Sequence, residues 1–144
     1  MSNTSNVNEL GIIDALDHLI DKTIYMLTSQ ISFMLWVAKH HYTPSENENM
    51  GMDTLHRGLI VEFEAIRERL TKEDVKGVFI DTLDSHIANV EYTLNSNLCF
   101  FEYVTENALS ISQREEAGLF FSMNGIEDML TSYTQELTDH LRKA

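Results

Sequence analysis

Six histidines and 23 carboxylates in 144 residues raise the question of a metal centre first. A di-iron carboxylate bundle needs a Glu-x-x-His pair on each of two helices, with further inward-facing glutamates. Glu-x-x-His occurs nowhere in the chain. The nearest approaches, Asp14 with His18 and Asp53 with His56, do not repeat, and His-Glu-x-x-His and Cys-x-x-Cys are absent. His40 and His41 are adjacent, so on a helix they diverge by about 100°. They read better as cations near a helix C-terminus than as ligands. Neither a metal nor a cofactor is expected. His18, His56 and His86, each with carboxylates nearby, leave a metal- or small-ligand-binding four-helix bundle as one alternative.

Covalent chemistry has as little to work with. Cys99 lies in the apolar run Leu98-Cys99-Phe100-Phe101 with no base nearby in sequence, so a buried, inert thiol is expected. There is no Gly-x-Ser-x-Gly elbow and no glycine-rich phosphate loop. Glu62 and Glu64, two apart on a helix, face away from each other. No catalytic residue is assigned, and the chain is not expected to be an enzyme.

Charge of one sign is the stronger pattern. Between Gly77 and Leu141 the only lysine or arginine is Arg114, against 11 carboxylates. At about 100° per residue, with Asp81 at zero, Asp84 falls near 300°, Glu91 near 280°, Glu102 near 300° and Glu106 near 340°. These five form a stripe beside the apolar face of one helix, a candidate docking face for a basic partner. Asp14, Asp17 and Asp21 make a shorter stripe upstream. Arg57, Arg67, Arg69 and Lys72 are interleaved with glutamates and read as salt-bridged helix surface.

A second candidate face is aromatic. Phe33 and Trp36, then Phe100 and Phe101, then Phe120 and Phe121, lie in turns that are apolar around most of their circumference. A bundle helix normally buries a narrower stripe. Such turns either sit at the bundle centre or form an oligomer interface, and these six residues are the expected oligomer or partner contacts.

The elements that must hold these faces follow from periodicity. Ile13, Leu16, Ile20, Ile24, Leu27, Ile31, Met34 and Ala38 recur every three or four residues, predicting a helix from about Asn8 to His40. Residues 41–52 read as a loop, with Asp53 as the cap of a second helix carrying Met52, Leu55, Leu59, Phe63, Ile66 and Leu70. Thr71 with Asp74 resembles a capping box opening a third helix that runs through Ile80, Leu94 and Val104 to Ala108. Ser112 with Glu115 is the clearest capping box, and the fourth helix ends near Arg142 and Lys143. One proline and six glycines leave few breakers. The expected fold is all-α: one antiparallel-type four-helix bundle over residues 8–144, monomeric or paired as a dimer, with residues 1–7 frayed or disordered.

A net charge of −13 disfavours direct contact with nucleic acid or an anionic membrane. A lone cysteine, no basic or apolar leader, and no apolar run near the roughly 20 residues that span a bilayer point to the cytoplasm. The expected function is therefore a non-enzymatic helical interaction module, a homodimer that binds another protein through its apolar/aromatic or acidic face. The narrower alternative is an acidic inhibitor, a nucleic-acid mimic that occupies a nucleic-acid-binding protein as mobile-element or anti-defence proteins do.

Overall fold

Apolar residues spaced by three and four positions produce amphipathic helices, and the order of breaks sets how they fold back. The computed structural model describes the backbone of residues 3–143 and the side chains of residues 11–143. It contains α1 (Asn3–His40), α2 (Glu46–Lys72), α3 (Gly77–Glu106) and α4 (Gln113–Lys143). No strand occurs among the described residues, and no helix there is long and apolar enough to cross a membrane. Of the stretch expected to fray, Met1 and Ser2 lie outside the described residues, and α1 begins at Asn3.

The starts of α2 and α3 differ from expectation. Ser45, not Asp53, caps α2: its side chain accepts from the Glu48 amide while Glu48 accepts from the Ser45 amide, at 3.1 and 2.9 Å. The Ser45 amide bond holds the Glu48 carboxyl below its ordinary range. Thr71 and Asp74 do not open α3. Thr71 lies in the last turn of α2 and donates to the Arg67 carbonyl at 3.1 Å, and Lys76 precedes α3 without a side-chain cap. Ser112 and Glu115 form the expected box, at 2.9 and 3.1 Å.

Three helices end alike. Tyr42, Val75 and Leu109 each donate a backbone N–H five residues back, to Val37, Leu70 and Val104, at 3.1, 3.2 and 2.9 Å. The residue before each donor is left-handed: His41 at φ 48°, Asp74 at 56° and Ala108 at 50°. This closure usually uses glycine. Of the three, Ala108 has no polar side chain to offset the strain of the left-handed region, which costs about 1 kcal/mol or more. Ala108→Gly is therefore expected to raise unfolding stability by roughly 1 kcal/mol, read from the urea midpoint at unchanged m-value.

The core sits where all four helices meet. α1 packs against α2, α3 and α4, α2 packs on α3, and α3 packs on α4. Among the described residues α2 and α4 do not touch, so α1 and α3 form the close diagonal. Leu16, Leu27, Ile31 and Met34 of α1 meet Leu59, Phe63 and Leu70 of α2, Leu83, Leu94 and Phe101 of α3, and Leu130 and Leu137 of α4 in one buried cluster. Contact with three helices explains why the α1 turn around Ile31–Ala38 is apolar on most sides. Within it Ile31, Met34, Val37 and Ala38 are buried, whereas Trp36 is exposed.

Candidate functional site

The six aromatic residues expected at one contact face occupy different environments. Phe101 is 1% exposed and packs in the core, its ring 5.8 Å from that of Phe33. It belongs to the diagonal between α1 and α3, not to a surface. Phe100 borders a shallow cleft with Leu119 and Gly118 between α3 and α4. Phe120 is half-buried against the core, and Phe121 beside it is 73% exposed.

Phe33 and Trp36 belong to a surface on α1. With Tyr25 at zero on the wheel, Trp36 falls near 20°, Ser29 near 40° and Phe33 near 80°. Tyr25 is 74% exposed and Trp36 48%. Together with Met26, Met52 and Leu55 this stripe flanks an apolar cleft of about 440 Å³ between α1 and α2, lined by Tyr25, Ser29 and Phe33. Leu55, expected in the core, is 56% exposed here, and His56 takes the buried place beside it. Both positions fit a three–four spacing from Met52 to Leu59, so packing against α1 decided between them. At the rim, Lys22 bridges to Glu62 at 2.8 Å. Beyond the cleft, Trp36 stacks on His40 with centroids 4.6 Å apart and meets the Tyr42 ring edge-on at 5.4 Å.

The carboxylate stripe of α3 divides in two. Asp84 accepts from Arg67 Nε of α2 at 2.5 Å. That contact, and more weakly Asp81, holds the Arg67 guanidinium even further above its ordinary range. Both partners of the pair are more than a third exposed, so it contributes at most about 1 kcal/mol. Its larger effect is to neutralise the N-terminal end of the stripe, which is thereby not the unbroken row a nucleic-acid mimic calls for. Glu91, Glu102 and Glu106 are exposed further along. Tyr92 at 75% and Tyr103 at 58% exposure lie beside them. On the wheel, Tyr92, Cys99 and Tyr103 fall within about 40° of one another. Cys99 is thus exposed, not buried as its apolar neighbours suggested, because the helical phase turns it away from Leu98 and Phe101. The two tyrosines carried a signal in that same phase, offset from the apolar face.

Two histidines are enclosed. His56 on α2 is 4% exposed and its Nε2 hydrogen-bonds the side-chain amide of Gln30 on α1, itself 7% exposed. Neither His56 Nδ1 nor Gln30 Oε1 has a partner among the described residues. Burial pushes the His56 imidazole below its ordinary pKa, against a smaller upward pull from Asp53. His86 on α3 lies edge-on to Tyr133 at 5.4 Å, its Nδ1 likewise without a partner among the described residues. Burial lowers its pKa, with a smaller upward pull from Glu136. Tyr133 donates to the Phe79 carbonyl at 2.8 Å, and burial raises its phenol above the ordinary range. His18 is exposed. Among the described residues no three His, Cys, Asp or Glu side chains are grouped to hold a metal ion.

Gln30 and His56 stand on the apolar phase of their helices, between Leu27 and Met34 and between Met52 and Leu59. A polar residue at a core position was the signal that could have located the pair. No protein-family model, curated protein or solved structure matches the chain.

Proposed function

We propose that this chain is a non-enzymatic interaction module of the cytoplasm, in which neighbouring helices run antiparallel and two copies pair through the α1–α2 face. The exposed aromatic stripe of Tyr25 and Trp36 beside the apolar cleft carries this reading. A small protein leaves large hydrophobic side chains adjacent to one another mainly where something covers them. Symmetric pairing is the commonest way to cover such a stripe, since one patch serves both copies. The antiparallel sense is supported by side-chain pairs that run in opposite numerical order: Lys22 with Glu62 and Gln30 with His56, Arg67 with Asp84, and Asn89 with Met129. Exposed Cys99, with no second cysteine in the chain, suits a reducing compartment.

The outer face of α3 is the surface offered to a different protein. Tyr92 and Tyr103 supply apolar contact with few rotatable bonds, and Glu91, Glu102 and Glu106 set a preference for a basic partner and steer its approach.

Trp36 is the single tryptophan and reports directly on the α1 stripe. Its emission maximum is expected to move to shorter wavelength as protein concentration rises from nanomolar to high micromolar, because pairing removes water from the indole. The combined variant Tyr25→Glu/Leu55→Glu should hold the maximum constant. A wild-type maximum that does not move over this range rejects pairing through α1.

A further inference from the structure

The buried pair Gln30–His56 joins two clefts on opposite sides of α2. Gln30 lines the apolar cleft between α1 and α2. His56 lines a second cleft, of about 480 Å³, between α2 and α3. That second cleft is polar: Asp53, Arg57 and Glu64 of α2 face Glu91 and Asn95 of α3, with Ile60, Val61 and Leu94 between them. Its size falls in the range of small-ligand sites, which combine apolar walls with a few convergent polar groups.

Arg57 is occupied, since its Nε lies 2.9 Å from Asp53. Glu64 and Glu91 make no ion pair among the described residues. An enclosed imidazole whose Nδ1 lacks a partner stands in the same wall. A buried polar atom of this kind is normally satisfied, so its presence beside two uncompensated carboxylates indicates a missing ligand group.

We infer that the α2–α3 cleft is a binding site for a guanidinium group, held between Glu64 and Glu91 with one N–H donated to His56 Nδ1. The planar fork of a guanidinium suits two carboxylates and a third acceptor, and Ile60, Val61 and Leu94 suit an aliphatic stem.

The relay through Gln30 makes binding detectable. As the side chains stand, the Gln30 amide nitrogen faces His56 Nε2. Nε2 then accepts and the ring proton sits on Nδ1. A ligand N–H at Nδ1 requires the opposite tautomer, with the proton on Nε2 and donated to Gln30 Oε1 after the amide turns end for end. No net proton is taken up or released. Ligand binding and the sense of the buried hydrogen bond are thereby linked, and the site acts on the same helix α2 that borders the α1–α2 cleft.

The test is ¹⁵N NMR of the His56 ring during titration of the full chain with n-butylguanidinium, with an acetylated and amidated Gly-Arg-Gly peptide as a second arm. The expected result is a saturable change at millimolar ligand from the Nδ1-protonated to the Nε2-protonated tautomer. Glu64→Gln/Glu91→Gln, both at exposed positions, should weaken binding about tenfold or more while the amide spectrum stays folded. Saturation by n-butylguanidinium assigns the site to free small molecules. Saturation by the peptide alone assigns it to an arginine side chain of a protein. No saturable change at His56, an equal response to tetramethylammonium, or an undiminished response in the double variant overturns the inference. The readout is local to His56 and does not depend on whether the chain pairs through α1.

Discussion

Phe101→Ala is expected to lower the free energy of unfolding by about 3–5 kcal/mol, and Phe121→Ala to change it by less than about 0.5 kcal/mol. Both are phenylalanines in long helices, and both stand in runs that are apolar nearly all round. The difference lies in what surrounds them. Phe101 is 1% exposed, fills the space between α1 and α3 and touches Phe33. Truncation there removes buried apolar area and leaves a cavity that helices packed on three sides close only in part. Phe121 is 73% exposed, so alanine removes surface that is already wet. Against the 5–15 kcal/mol typical of a whole domain, the Phe101 loss brings the protein near its folding threshold. Urea unfolding at one fixed protein concentration reads both values, because pairing would otherwise shift the midpoints. Equal effects at the two positions would place Phe101 outside the core.

Acidification should weaken the fold through His56 and His86. Both imidazoles have pKa values lowered by burial in the folded state from an ordinary value of 6.5. Below pH 6.5 the unfolded chain therefore binds protons that the folded chain refuses. Stability from these groups is fully present above pH 6.5 and is lost as pH falls toward their folded-state values. The slope cannot exceed about 1.4 kcal/mol per pH unit for each imidazole. Asp53 beside His56 and Glu136 beside His86 oppose part of the shift. With a net charge of −13, acid also relieves repulsion among carboxylates. The informative quantity is the difference between wild type and the variant His56→Gln/His86→Gln, measured by urea unfolding from pH 8 down to pH 5. Wild type should lose stability relative to the variant below pH 6.5, and parallel profiles would contradict the burial of both rings.

Periodicity made the helices legible, and it made their ends hard to read. Leu27, Ile31 and Met34, or Leu130 and Leu137, announce a buried face because burial demands three–four spacing. The three helix ends use His41, Asp74 and Ala108 in a conformation that favours glycine, so no residue type marked them. Ser45-x-x-Glu48 was visible after Pro44 and reads correctly once the loop is allowed to be short. Tertiary contacts decided the rest. Leu55 and His56 fit the same spacing, and only the Gln30 amide on α1 puts histidine inside. Asp84 belonged to the acidic stripe on any wheel, but Arg67 lies 17 positions away in sequence and meets it only when α2 and α3 pack. The wide apolar turns of α1 looked like an interface in isolation, and contact with three helices accounts for most of their width.

What this leaves for association is the narrower stripe of Tyr25, Phe33 and Trp36 with Leu55 across the cleft. Sedimentation equilibrium at high micromolar protein tests it most directly. The account predicts a species of twice the 16.5 kDa chain mass for the wild type, and the chain mass itself for Tyr25→Glu/Leu55→Glu. A wild-type protein that remains at 16.5 kDa would contradict pairing through this face.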